Sequence, residues 1–144
     1  KNELLGQEFQ LNWAWISLEY DSYEINETEK YLNIKLSRRG YLGETSFVSV
    51  KTKNVTAKEG EDFGKHYAKQ VQFSPGQTEA YWRLRILNDS LFEDSEEFEI
   101  LLQEPVMAAI EYPDKATVTI LDKEDGEESN LKFSTKISYT CTQL

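Results

Sequence analysis

The densest polar stretch of the chain runs from Leu87 to Phe98, where Asp89, Glu93, Asp94, Glu96 and Glu97 stand between two apolar runs. Carboxylates crowded in this way raise the energy of the folded state unless a positive charge stands among them. A hard cation with many oxygen ligands is the economical answer. Calcium accepts about six to eight oxygens in irregular geometry, where magnesium holds to a tight octahedron. Calcium is therefore the candidate ion, and a merely solvated acidic loop is the alternative reading of the same run.

Other chemistries lack parts. His66 is the sole histidine, so a zinc triad, a Ser-His-Asp relay and a paired haem ligation cannot be assembled, and a half-exposed strand position is its expected role. Paired carboxylates also serve glycosidases, but nothing in the sequence suggests the cleft that would hold a sugar between them. No catalytic residue is assigned and no enzyme activity is expected. A net charge of −10 with no basic stripe argues against nucleic acid as a partner. No stretch approaches the roughly 18 to 20 apolar residues that cross a bilayer as a helix. The chain opens on Lys1 with neither initiator Met nor signal h-region, and so reads as a piece of something larger. Cys141, the lone cysteine, excludes an internal disulfide and a thiolate cage. Three N-x-[ST] sequons, at Asn26, Asn54 and Asn88, favour secretion and mark candidate glycosylation sites.

The elements that must position the acids are strands. Period-two alternation places Leu32, Ile34 and Leu36 on one face, and likewise Trp82, Leu84 and Ile86, then Phe98, Ile100 and Leu102, then Ala116, Val118 and Ile120. Trp15 to Tyr20, Phe47 to Lys51 and Tyr67 to Phe73 bring the count to about seven. The intervening breaks carry turn residues: Arg38-Arg39-Gly40, Glu59-Gly60-Glu61-Asp62, Ser74-Pro75-Gly76, Asn88-Asp89-Ser90 and Tyr112-Pro113-Asp114. The expected fold is all-β, an immunoglobulin-like sandwich of two antiparallel sheets, with a small barrel as runner-up. Trp82 is expected in the core and Trp13 near the surface. Residues 1–12 form an N-terminal flank, 13–125 the sandwich, and 126–144 a linker or the first strand of a following module, since Leu131, Phe133 and Ile137 alternate again. In such a sandwich the loops carrying Asp62, Asp89 and Glu93 and the end of the last strand at Asp122 gather at one tip.

Ordered blocks of this chain resemble the Calx-beta family of sodium/calcium exchangers, an integrin beta subunit and the Fras/Frem basement-membrane proteins. They are Tyr23-Glu24-Ile25-Asn26-Glu27, Arg38-Arg39-Gly40, Gly60-Glu61-Asp62-Phe63, Val71 to Gly76, Ile86 to Phe98 with its D-x-x-x-E-x-x-E skeleton, and Val118-Thr119-Ile120-Leu121-Asp122. The resemblance covers residues 15 to 125 and implies a ligand set of Glu27, Asp62, Asp89, Glu93, Glu96 and Asp122. Two departures remove negative charge: Asn88-Asp89 stands where strong binders carry an Asp pair, and Asp122-Lys123-Glu124 where they carry an Asp triplet. Lys123 even brings an ammonium to the cluster, so the expected affinity is that of millimolar extracellular modules. Asn88 is both a carbonyl ligand candidate and a sequon acceptor, and those two roles exclude one another.

What the resemblance implies is a non-catalytic calcium-binding module of a secreted matrix or adhesion protein, partnered by Ca2+, by neighbouring domains of its own chain and by other matrix proteins. Two alternatives stand beside it. One is a metal-free spacer with a degenerate site; the other is a cytoplasmic calcium sensor in the loop of a transporter.

Overall fold

The computed structural model describes residues 13–65, 69–88 and 94–121, and all their regular structure is strand. The order is β1 (Ala14–Leu18), β2 (Ser22–Asn26), β3 (Tyr31–Gly40), β4 (Ser46–Asn54), β5 (Lys69–Phe73), β6 (Glu79–Arg85), β7 (Glu96–Val106), β8 (Ala109–Ile110) and β9 (Lys115–Leu121). They form a four-stranded sheet ordered β6-β3-β1-β8 and a five-stranded sheet ordered β2-β9-β7-β4-β5. His66, Lys123, Cys141 and both flanking segments fall outside the described residues.

The alternation read from the sequence is the alternation of burial. In β6, Ala80, Trp82 and Leu84 point inward while Glu79, Tyr81, Arg83 and Arg85 stay exposed. β3 turns Leu32, Ile34 and Leu36 inward in the same way, and β9 turns Ala116, Val118 and Ile120. The two inner faces meet in a core that includes Ile16, Ile34, Val48, Val50, Phe73, Trp82, Phe98 and Ile100. Each such side chain contributes about 1.5–3 kcal/mol by leaving water. The core thus secures the fold, and chemistry at the sandwich tips adjusts it.

Three expectations change. The strands are nine among the described residues, because two short ones, β2 and β8, were not anticipated. The sheets are not purely antiparallel: β1 pairs parallel with β8, and β2 with β9. The cause is a change of sheet between β1 and β2 across Glu19–Asp21, so that this first edge, now in the second sheet, runs toward the same tip as the last strand. Arg38-Arg39-Gly40, expected as a turn, is the end of β3. Gly40 lies opposite Ala14 with φ near 97°, and a Cβ there would stand 2.7 Å from the Trp13 carbonyl. Glycine alone fits that approach without strain.

Arg38 is buried to 3 % exposure, without a carboxylate partner among the described residues. Its Nε donates to the Gln77 carbonyl at 3.0 Å, Nη1 to the Glu44 carbonyl at 2.7 Å and the Ser46 hydroxyl at 2.9 Å, and Nη2 to the Ser74 carbonyl at 2.8 Å. The guanidinium also lies over the Phe73 ring, 5.5 Å from its centroid. A buried charge is tolerated only when its donors are satisfied, and here backbone dipoles of two separate turns do so. One side chain thereby ties the β3–β4 and β5–β6 connections together. Removing it leaves those oxygens unsatisfied, each at a cost of about 1–3 kcal/mol. We expect Arg38→Met to lower stability by at least about 3 kcal/mol in urea unfolding, and Arg38→Lys to recover less than half of that because an ammonium lacks the planar fork. A loss below about 1 kcal/mol for Arg38→Met would contradict the assignment.

Candidate metal site at one tip of the sandwich

The tip opposite Arg38 is built by strand ends. β2 and β9 run side by side in parallel register, Ile25 beside Ile120 and Asn26 beside Leu121. The Glu27 amide donates to the Leu121 carbonyl at 2.8 Å, so Glu27 begins where β9 ends. Across β9, Glu96 opens β7 opposite Ile120. The pairing of β2 with β9 and of β9 with β7 therefore sets Glu27 and Glu96 at one end of one sheet.

Asp62 arrives from a long connection that is fastened twice. Its Oδ2 accepts the Lys58 amide at 2.9 Å, and its own amide donates to the Lys58 carbonyl at 2.9 Å, closing a tight turn. Gly60, with φ near 92°, takes the left-handed position in that turn. Next to it, Phe63 is wholly buried and stacks on Phe98, ring centroids 4.0 Å apart. Backbone bonds from Leu87 to the Asp62 carbonyl at 3.0 Å and from Gly64 to the Arg85 carbonyl at 2.8 Å then fix the turn alongside the end of β6. Phe63 acts as a peg that holds Asp62 beside Leu87 and Asn88. The Ile86 amide donates to the Lys30 carbonyl at 2.9 Å, which joins the start of β3 to the same tip.

Of the residues the sequence put forward as ligands, Glu27, Asp62 and Glu96 are brought to this tip. Asp89, Glu93 and Asp122 lie outside the described residues, directly after Asn88, before Asp94 and after Leu121 in the chain. Among the described residues no three acidic, histidine or cysteine side chains form a group able to hold a metal. Glu27, Asn88 and Glu96 already take part in interactions within the protein.

One oxygen at the tip was missed by sequence reasoning. Asn26 Oδ1 is buried and without a hydrogen-bond partner among the described residues. Such an orphan costs about 1–3 kcal/mol and calls for an explanation. Its sequon drew attention to glycosylation instead, although its neighbour Glu27 was already a ligand candidate. Thr56 was missed as well: its Oγ1 accepts the Glu97 amide at 2.7 Å, while the amides of Thr56 and Ala57 both donate to the Glu97 carbonyl. That clamp ties the end of β4 to the start of β7.

The architecture has known counterparts. Residues 12–124 match the Calx-beta domain. The chain belongs to the Calx-beta family. Within it the similarity runs to matrix proteins: 64% identity over 124 residues to Extracellular matrix protein 3 of Lytechinus variegatus, and 55% over 124 residues to FRAS1-related extracellular matrix protein 2 of Homo sapiens. Each alignment covers 86% of this chain and 4% of the relative, so the chain spans a small fraction of the length of these relatives. It is a structural module of the kind that extracellular matrix proteins of the Fras/Frem type carry, and its location is the extracellular matrix. The alternative of a cytoplasmic transporter loop gives way to these relatives. Among solved structures, calcium binding domain CBD12 of CALX1.1 superposes with a TM-score of 0.71 at 30% identity, over 74% of this chain and 44% of that one.

The peg predicts its own test. Phe63→Ala should cost about 3–5 kcal/mol, since it removes a stacked, fully buried ring. In hydrogen exchange the amides of Asp62, Gly64 and Leu87 should lose protection, while those in the centre of β3 keep theirs. Equal loss across the whole domain would show that Phe63 supports the core at large and not this turn.

Proposed function

We propose that the domain holds calcium weakly at this tip and, when loaded, stiffens the end of the sandwich at which β9 leaves it. The observation that carries the reading is the buried Asn26 Oδ1, unpartnered among the described residues, at the tip that also receives Glu27, Asp62 and Glu96. A buried oxygen that meets no donor among the described residues is of the kind a hard cation accepts. In this reading Glu27, Asp62 and Glu96 supply carboxylates from three separate connections, and Asp89, Glu93 and Asp122 complete the set. The ion would supply the charge that offsets their mutual repulsion. The residues' own part is to cross-link β2, β7, β9 and the 58–64 turn through shared coordination. The affinity stays in the millimolar class because Asn88 and Lys123 stand where further acids would strengthen it.

A metal-free spacer is favoured by one observation, the lack of a closed ligand group among the described residues. In either reading the module is non-catalytic.

Melting curves decide between the two. A site filled at ten times its Kd adds about 1.4 kcal/mol, so several millimolar calcium should raise Tm by a few degrees over excess chelator, and equimolar magnesium should not. Asp89→Ala and Glu93→Ala should abolish the shift without lowering Tm in chelator. Identical curves with and without calcium would select the spacer.

We further propose Asn54 as the principal glycan acceptor. Asn54 and Asn88 are exposed, whereas Asn26 is half-buried in the β2–β9 ladder. Peptide mapping of protein secreted from animal cells should find glycan at Asn54 and none at Asn26. Occupancy at Asn26 would contradict both this assignment and the role given to its carboxamide.

A further inference from the structure

Among the described residues β6 is an edge strand whose one sheet neighbour is β3. Its seven residues pair with β3 in unbroken register, with no bulge and no proline, so protection of this edge is left to the charges of Glu79, Arg83 and Arg85. The Ile86 amide donates to Lys30 and the Arg38 amide to Thr78 at the two ends of this ladder. Antiparallel alternation then turns the backbone groups of Ala80, Trp82 and Leu84 toward β3, and those of Glu79, Tyr81, Arg83 and Arg85 outward. Two contacts agree: the Glu79 carbonyl accepts Gln77 Nε2 at 2.6 Å, and the Arg85 carbonyl accepts the Gly64 amide at 2.8 Å, both from outside the β3 ladder. Tyr81 and Arg83 lie between these two caps. A groove of about 460 Å³ opens beside them, lined by Gln70, Gln72, Gln77, Tyr81 and Arg83 among others, between the facing edges of β5 and β6.

The sequence of this edge, Glu79-Ala-Tyr-Trp-Arg-Leu-Arg85, is complementary to itself when reversed. Laid antiparallel on a second copy about Trp82, Glu79 meets Arg85, Tyr81 meets Arg83, and Ala80 meets Leu84. Every exposed residue faces an exposed one and every buried residue a buried one, as a shared sheet requires. Of the outward residues, Tyr81 and Arg83 form the pairs that can exchange both hydrogen bonds, one on each side of the axis; the Glu79 and Arg85 carbonyls are already capped, so Glu79 and Arg85 meet through their side chains. A shift by two residues toward the C-terminus sets Arg83 against Arg83, which penalises that slip. The contacts already present extend across the seam. Arg83 lies 3.7 Å from the centroid of the Tyr31 ring, and the copy's Tyr81, itself 64 % exposed, would cover its other side. Glu79 is bonded to Lys35 at 3.2 Å and would gain an arginine on its open side.

We propose that β6 is a homotypic docking edge: two copies of this domain pair their β6 strands antiparallel across a twofold axis at Trp82, joining their four-stranded sheets into one. The occupant of the edge is a second copy because the charge pattern is closed on itself, and an isologous contact of this kind stops at the dimer. The inference is independent of calcium. In a long matrix chain it would join two chains side by side at this module.

Light scattering on gel-filtered domain, in reductant to exclude disulfides through Cys141, should show a monomer–dimer equilibrium that shifts with concentration. Glu79→Arg or Arg85→Glu alone should raise the dimer Kd at least about tenfold, because each places like charges opposite one another twice in the symmetric pair. The double variant Glu79→Arg/Arg85→Glu should restore it. Tyr81→Pro, which removes an outward amide and leaves the β3 ladder intact, should also yield monomer. Monomer melting curves within a few degrees of wild type would confirm that each variant is folded, and both single reversals must pass this control. A wild type that remains monomeric up to about 1 mM would overturn the proposal. So would a dimer indifferent to the single reversals, or growth into open-ended oligomers.

Discussion

A buried guanidinium with no carboxylate partner among the described residues governs the architecture at one tip. Arg38 can remain charged inside the protein only because Gln77, Glu44, Ser46 and Ser74 present oxygens to it from two turns at once. Those turns join the strands of different sheets, so satisfying the cation and closing the sandwich are a single event. The opposite tip has the reverse electrostatics. There the strand ends bring carboxylates and an orphaned carboxamide oxygen, Asn26 Oδ1. One tip is closed by an internal cation among carbonyls; the other gathers oxygens and, among the described residues, leaves one without a donor.

Much of this was legible in the sequence where the pattern reports on burial. Trp82, Leu84 and Ile86 alternate because β6 has one wet face, and the same holds for Leu32 to Leu36 and Ala116 to Ile120. What escaped is what alternation does not encode. β2 buries only Ile25 fully, and β8 has two residues, so neither carries enough apolar period to be recognised. Arg38 looked like a turn residue because its partners are backbone carbonyls, which leave no trace in residue identity. At the tip, Asp62 was reached from the expected gathering of loops as well as from a family block, and Glu96 from the family block alone. Asn26 was read as a candidate glycan acceptor, whereas it stands in parallel register with β9 and is half-buried.

β5 and β6 are edge strands of different sheets, and the chain treats the two differently. β5, of five residues, opens on Lys69, a charge suited to discouraging pairing. β6 is longer, seven residues in unbroken register with β3, and its exposed residues form a sequence complementary to its own reversal. Charged residues on an edge repel a general partner but attract one with the mirrored pattern, so the same side chains provide solubility and selectivity. The caps from Gln77 and Gly64 sit only at the ends of the strand, where they limit the length of any added pairing without closing its centre.

The parallel pairing of β2 with β9 also decides how force crosses the module. β1 begins at Ala14 opposite Gly40, at the Arg38 tip, while β9 ends at Leu121 beside Asn26, at the acidic tip. The described chain therefore enters at one end of the sandwich and leaves at the other. Tension applied along that axis pulls β1 against β3 and β8, and β9 against β2 and β7, so that rows of hydrogen bonds are loaded together in shear instead of opening one by one. At the exit, the Glu27 amide bonded to the Leu121 carbonyl is the last backbone tie of the β2–β9 ladder among the described residues. Glu27 and Glu96 stand at this end of the sheet, where any further linkage between β2, β7 and β9 would add most to the resistance of the final strand.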